Sequence, residues 1–343
     1  MNTILVTGGA GFIGGNFIRY WYKHHPQDRI IILDNLTYAG NPDNIPLHMK
    51  NGDLRYQFWY GNICNGELVD SLVAKANIIV HFAAETHVPR SIYDNKIFYE
   101  TDVLGTQTLA TAVVKHYKTV ERFIHISTSE VYGTSQYEPM DEKHPLDPCS
   151  PYASAKCGAD RLIYSFIQTY RMPAIILRPF NQYGPYQHLE KVIPRFIVAA
   201  LEDKPLTVHG DGSAKRDWLY VDDTIQRIEK VIEAPIEKVH GQVFNLGSGQ
   251  SYSILEIAEK IVSLLNKPES LIRYVGDRLG QVQNHLSSTM KAEDILNIKQ
   301  GRPFEEGLKQ TIDWYENNEM WWRRIEWMRC VKVMTKSGEM EWH

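Results

Sequence analysis

Thr3-Ile4-Leu5-Val6-Thr7 runs directly into Gly8-Gly9-Ala10-Gly11-Phe12-Ile13-Gly14 near the start of the sequence. A short apolar strand meets a glycine turn, and an amphipathic helical pattern follows through Trp21. Gly8 and Gly11 lack the Cβ that would hold a pyrophosphate away from the backbone. Gly14 lets the helix pack closely on the strand, and the helix N-terminus offers free N–H donors. A second strand, Ile30-Ile31-Ile32-Leu33, ends in Asp34-Asn35, with Asp34 twenty residues past Gly14. A carboxylate there accepts hydrogen bonds from ribose hydroxyls and repels a 2′-phosphate, which favours NAD over NADP.

Further strands are predicted at Tyr56–Tyr60, Ile78–Phe82 and Arg122–Ser127, separated by helical patterns. This alternation is that of an α/β protein with a Rossmann-type, doubly wound parallel sheet. Ligands of such sheets gather at the carboxyl ends of the strands, so Asn62-Ile63, Ala83-Ala84-Glu85-Thr86 and Ser127-Thr128 should face one crevice. The expected organisation is a NAD-binding Rossmann domain over residues 1–180. A smaller C-terminal α/β substrate lobe follows over 181–320, partly interleaved with it and including a strand Gln242–Leu246 and a helix Ile254–Leu265. An aromatic and basic tail completes the chain over 321–343. From Trp314 onward the chain carries five of its eight tryptophans, for which a helix docked on the body is expected.

At 343 residues and 43% hydrophobic content, the chain can bury a large core. A net charge of −4 leaves no nucleic-acid footprint. The absence of a long apolar run or a leader pattern predicts a cytoplasmic protein with no membrane partner. Cys64, Cys149, Cys157 and Cys330 lack the close spacing of metal ligands, so no metal is expected.

Tyr152 and Lys156 are four residues apart, which puts both on one helix face. A cation there would lower the phenol's pKa, so that tyrosinate accepts a hydroxyl proton as hydride leaves the same carbon for NAD. Thr128 would hydrogen-bond the same hydroxyl, and Lys156 would also reach the nicotinamide ribose. With Gly8 to Gly14, the chain carries Leu36-Thr37-Tyr38-Ala39-Gly40-Asn41, His81-Phe82-Ala83-Ala84-Glu85-Thr86-His87-Val88, Asn181-Gln182-Tyr183-Gly184-Pro185-Tyr186, Glu190-Lys191-Val192-Ile193-Pro194 and Arg216-Asp217-Trp218-Leu219-Tyr220-Val221. In these stretches it resembles the extended short-chain dehydrogenase/reductases acting on nucleotide sugars, and within them the dTDP-glucose 4,6-dehydratases, over about residues 1 to 320.

That resemblance implies a lyase of activated deoxysugar biosynthesis in which NAD is a bound catalyst: C4 is oxidised, water is eliminated across C5 and C6, and hydride returns to C6. Glu130 matches the base that removes the C5 proton. Phe12, Ile13 and Thr101 join the cofactor site. Asn181, Glu190, Lys191, Val192, Asn245 and the guanidinium groups of Arg216 and Arg278 match the nucleotide-diphosphate end, with Thr86 also near substrate. His209 and His285 stand where aromatic residues are frequent, and two readings are open for them: a nucleobase or phosphate contact, or a plain surface histidine. A homodimer is implied, packed through the Tyr152 helix and the segment near Thr101 to Val114, where Ala153, Ala155, Ala159, Leu104 and Ala110 offer small or apolar faces.

The chain departs from the family at Ser129, where its dehydratases carry the Asp that protonates the departing hydroxyl. General-acid assistance is worth roughly 10²–10⁴-fold, so the change is not neutral. Thr-Ser-Glu here resembles UDP-glucuronate decarboxylases, and dehydratases acting on amino-sugar nucleotides depart from the Asp at the same position. Elimination remains open if Glu130 acts as both base and acid, or if a water relay passes through Ser129. A 4-epimerase needs no base beside C5, and a non-catalytic dinucleotide-binding protein needs none of Thr128, Glu130, Tyr152 and Lys156.

Overall fold

The computed structural model describes residues 1–50, 53–298, 301–338 and 340–342; residues 299–300 of the expected lobe, and 339 and 343 of the tail, lie outside the described residues. Strands β1 (Thr3–Thr7), β2 (Arg29–Asp34), β3 (Tyr56–Tyr60), β4 (Ile78–His81), β5 (Arg122–Ile126) and β6 (Ala174–Pro179) are followed by β7 (Asn181–Tyr183), β8 (Leu206–His209), β9 (Lys215–Tyr220), β10 (Val243–Leu246), β11 (Ser251–Ser253) and β12 (Ile272–Val275). Seven of them form one parallel sheet in the order β10-β6-β5-β4-β1-β2-β3. The order reverses between β1 and β4, which opens a crevice at their carboxyl ends.

Strands covered on both faces read as continuous apolar runs, and here alternate residues serve alternate faces. Ile4, Val6, Ile30 and Ile32 pack with Phe17 and Trp21 of helix Phe12–His24 and with Ile225 and Ile228 of helix Val221–Glu233. Leu5, Ile31, Leu33 and Ile79 pack on the opposite side with Val69, Leu109 and Ile163, from helices Gly66–Val73, Thr106–Lys115 and Pro151–Tyr170. Each fully buried aliphatic side chain contributes about 1.5–3 kcal/mol, so both faces hold the sheet firmly.

Strand β10 lies on the edge of this sheet, with Val243 level with Ile176, and not in the smaller lobe as expected. Phe244 and Leu246 are fully buried there against the main core, which fixes the choice. The smaller lobe is built from the sheets β11-β9-β7 and β12-β8 with helices Val192–Leu201, Ile254–Leu264 and Phe304–Asn317. Its own core gathers Phe196, Ile257, Ile261, Leu308 and Ile312. Helix Ile254–Leu264 starts where the sequence predicts, because Ser253 and Glu256 form a capping box. The tail is a short helix, Glu319–Arg323, followed by an antiparallel hairpin of β13 (Lys332–Met334) and β14 (Met340–Trp342). Only its first part is the docked helix expected.

Candidate active site

A cavity of about 400 Å³ opens at the carboxyl ends of the sheet strands. The glycine turn forms its floor. Gly8 has φ +71°, and a Cβ on it would lie 2.6 Å from the Ala83 nitrogen; one on Gly14 would collide with the Gly8 carbonyl. Asp34 accepts from the backbone N–H groups of Ala10 and Leu36, each at 2.8 Å, which fixes its carboxylate at the end of β2. Burial raises its pKa and those two bonds oppose the rise. Gly11, Phe12, Ile13, Asn35, Asn62, Ile63, Ala83, Ala84, Thr86, Thr101 and Ser127 join Gly8, Gly14 and Asp34 on the wall, as the sequence predicts. The Asn62 amide oxygen accepts from Cys64 N at 2.8 Å and keeps a lone pair for an adenine amine. A cradle that excludes Cβ atoms, ending in a fixed carboxylate, fits a dinucleotide with free ribose hydroxyls.

Thr128, Ser129, Glu130, Tyr152 and Lys156 converge on the same cavity. Helix Pro151–Tyr170 carries Tyr152 and Lys156 on its first turns; it begins on Pro151, with Ser150 accepting from Ala153 N at 3.1 Å. Thr128 caps the 3₁₀ turn Ser129–Tyr132 by accepting from Glu130 N at 3.2 Å. Thr128 and Thr86 lie beside the Tyr152 phenol. Its proton is held differently from the expectation. Burial pushes the phenol up, the two neighbouring threonines oppose this, and Lys156 donates to the Ile126 carbonyl at 2.8 Å instead.

Burial lowers the Lys156 ammonium, against the charge of Asp102, which sequence reasoning missed. Asp102 sits on a π-helical turn, Tyr99–Gly105, and burial pushes its carboxyl up to about 7 while Lys156 draws it down. Beneath the site, Asp160 accepts from Arg178 Nε and Nη2, both at 2.9 Å, and from Ser127 Oγ at 2.8 Å.

Toward the smaller lobe the wall carries Asn181, Glu190, Lys191, Val192 and Arg278. Lys191 Nζ donates to Thr86 Oγ1 at 2.9 Å, and Arg90 donates to Glu190 at 3.0 Å. Burial opposes ionisation of Glu190, but His87, Lys191, His188 and Arg90 hold its carboxyl at about 2.

Four expected substrate contacts are not on the wall. Arg216 donates to the carbonyls of Lys215, Gln283 and Val282. Asn245 accepts from Tyr132 OH at 2.7 Å and donates to Met140 O. His209 Nδ1 donates to Gly276 O at 3.0 Å. His285 is fully buried behind Ser129. In each case backbone or neighbouring side-chain groups already engage polar atoms of the side chain, which holds it away from the cavity.

The tail lies across the cavity mouth as a strap. Trp321 and Ile325 are on the wall, Trp321 Nε1 donates to Asn44 Oδ1 at 3.1 Å, and Arg324 pairs with Asp43 at 2.7 Å. The hairpin then reaches the other rim, where Leu279 N donates to Met334 O and Tyr93 OH to Met340 Sδ. Trp321 also packs edge-on against Tyr186 and Trp314.

A parallel sheet with its glycine cradle at the switch point, and a Thr/Tyr/Lys cluster facing it, define an extended short-chain dehydrogenase/reductase of the nucleotide-sugar type. The family model described as GDP-mannose 4,6 dehydratase matches residues 5–311, and the chain belongs to that family. It is 42% identical over 312 residues to the low-salt glycan biosynthesis protein Agl12 of Haloferax volcanii, covering 91% of this chain and 98% of that one. It is 38% identical over 329 residues to a dTDP-glucose 4,6-dehydratase of Streptomyces niveus, covering 94% and 95%. Among solved structures, DesIV, a dTDP-glucose 4,6-dehydratase of Streptomyces venezuelae with NAD bound, superposes with a TM-score of 0.88 at 38% identity, covering 94% of this chain and 99% of that one.

Proposed function

We propose that this protein is an NAD-dependent nucleotide-hexose 4,6-dehydratase, with dTDP-glucose the first substrate to try because relatives of that activity match along nearly the whole chain. The observation that carries the reading is Glu130, held by the Thr128 cap on the wall that also presents Tyr152. NAD, when bound, supplies the acceptor for hydride from C4 and returns it at C6. Tyr152 takes the 4-hydroxyl proton while Thr128 orients that oxygen, and Lys156 contributes positive charge beside them. The resulting C4 ketone acidifies C5–H, and Glu130 takes that proton as the C6 hydroxyl departs; the same carboxyl later returns a proton to C5. Arg278, Lys191 and Asn181 would hold the diphosphate.

The proposal extends to a homodimer acting in cytoplasmic deoxysugar synthesis. Among the described residues no helix is long and apolar enough to cross a membrane. Ala153, Ala155, Ala159 and Ala110 are buried within the protomer and leave the dimer face to Leu104, Tyr164 and their exposed neighbours. Ser129 supports one second reading, decarboxylation of UDP-glucuronate. Incubating the purified protein with dTDP-, UDP- and GDP-hexoses and with UDP-glucuronate, followed by mass spectrometry, separates loss of water from loss of carbon dioxide. Carbon dioxide from UDP-glucuronate, with no dehydrated hexose, would overturn the dehydratase reading.

A further inference from the structure

The family's acid is missing at Ser129, and the structure places a second proton-bearing group directly behind it. His285 Nε2 lies 2.6 Å from the Gly133 carbonyl oxygen, and its Nδ1 lies 3.4 Å from Ser129 Oγ. A carbonyl oxygen has no proton to give, so Nε2 carries the hydrogen and donates it. In the neutral ring Nδ1 is therefore a lone pair, and the Ser129 hydroxyl donates to it. Once the ring is protonated the bond reverses: Nδ1–H donates to Oγ, and the serine hydrogen is free to point into the cavity. Ser129 lines that cavity, whereas His285 is fully buried behind it and does not reach the wall. The Phe180 ring meets the imidazole edge-on at 5.9 Å, and His285 N donates to Lys215 O, so the ring has little room to swing.

We infer that Ser129 and His285 form a proton relay that protonates the departing C6 hydroxyl, with Ser129 as the catalytic donor and His285 as the positioning and proton-supplying residue behind it. The inference rests on the dehydratase reading above. As Glu130 takes the C5 proton, the C5–H electron pair becomes the C5=C6 bond and the C6–O bond breaks. The oxygen leaves with its bonding pair and takes the Ser129 proton, and Oγ takes the Nδ1 proton. Water is released and the imidazole is left neutral. The 4-hydroxyl proton held by Tyr152 passes to solvent and one proton returns from solvent to His285, so the cycle closes without net gain or loss and without a further reactant.

The groups facing His285 set when the relay is loaded. Burial disfavours the imidazolium, as do Arg216 on β9 and His144, while the Glu130 carboxylate and the Gly133 carbonyl favour it. Burial prevails and the imidazole's pKa is lowered, so the ring is charged by a proton from solvent before each elimination, and the Glu130 carboxylate, ionised to act as base, is the anion that eases that step.

The test compares His285→Phe and Ser129→Ala with the parent enzyme on two substrates: the nucleotide hexose, and its 6-deoxy-6-fluoro analogue, whose leaving fluoride needs no proton. The expected result is a fall of roughly 10²–10⁴-fold in water loss for both variants, with C4 oxidation still visible as reduced-nicotinamide absorbance, and only a few-fold fall for fluoride loss. The pH profile of elimination should lose its histidine limb in His285→Phe. Ser129→Asp combined with His285→Phe should recover water loss, because a carboxylic acid at 129 makes the relay unnecessary. Nitrogen NMR of the parent should show an Nε2–H tautomer whose Nδ1 signal moves in Ser129→Ala. Equal losses on both substrates, or a variant that dehydrates with unchanged rate and pH profile, would overturn the relay while leaving the dehydratase reading intact. A parent enzyme that dehydrates no hexose would overturn both.

Discussion

Replacing Asp160 with Asn should cost far more stability than its distance from the cavity suggests. Asp160 is fully buried and pairs with Arg178, itself 2% exposed, through two hydrogen bonds of 2.9 Å. An amide keeps one acceptor but turns an N–H toward the guanidinium, which is left charged, buried and without its counter-ion. Breaking a buried pair in this way costs about 3–5 kcal/mol, against roughly 5–15 kcal/mol for the stability of a whole protein.

Arg161 also bonds Asp160, at 2.7 Å, but is 41% exposed, so Arg161→Ala should cost no more than about 1 kcal/mol. Burial favours the neutral Asp160 carboxyl, yet Arg178 and Arg161 hold it well below the usual carboxylate range. A depressed folded pKa gives stabilisation that is present above about pH 4 and lost as pH falls through the folded value, so the gap between parent and variant should narrow only in strong acid. Urea denaturation followed by tryptophan fluorescence measures both substitutions. A cost for Asp160→Asn no larger than that of Arg161→Ala would mean that the buried pair with Arg178 does not hold the fold. Asp160→Leu with Arg178→Met should restore much of the loss, since apolar side chains of similar volume replace a buried ion pair at little cost.

Glu130→Gln should abolish water loss yet still allow C4 oxidation, seen as reduced-nicotinamide absorbance that builds up in the enzyme on mixing with substrate. Gly8→Ala should weaken NAD binding by at least about tenfold, measured by calorimetry on cofactor-stripped protein, because φ +71° and the nearby Ala83 nitrogen leave no place for a Cβ. Trp321→Ala should speed release of the reduced cofactor, NADH, followed by the fall of its fluorescence on dilution, since it removes the bond to Asn44 and the contact with Tyr186. Light scattering at micromolar concentration should report a dimer, and Leu104→Glu should shift it toward monomer.

The cofactor half of the site was legible because its signals are local. A turn that needs glycine, an acid at the next strand end and a Tyr-Lys pair one helical turn apart are each fixed by a few adjacent residues. The substrate half depends on contacts distant in sequence. Arg216 offers donors suited to phosphate, but it meets carbonyl oxygens of residues 282 and 283, and a backbone acceptor leaves no mark in the sequence. Strand β10 is a short apolar run that either sheet could take, and only its register with β6 decides. His285 and Ser129 are 156 residues apart, so their pairing had no local sign. Asp102 reads as an ordinary helix residue until the wider π turn and Lys156 are seen together.

The strap also has a consequence for the order in which the enzyme is assembled. Chains generally fold N-terminal units first as they are synthesised. The glycine cradle and the helix of Tyr152 are therefore made well before Trp321 and the hairpin β13–β14 leave the ribosome. A dinucleotide arriving in that interval meets a cleft without the tail; one arriving later meets a wall that already carries the indole, bonded to Asn44. Enzyme refolded without NAD is expected to load it more slowly than enzyme that acquired it during synthesis, and Trp321→Ala is expected to narrow that difference.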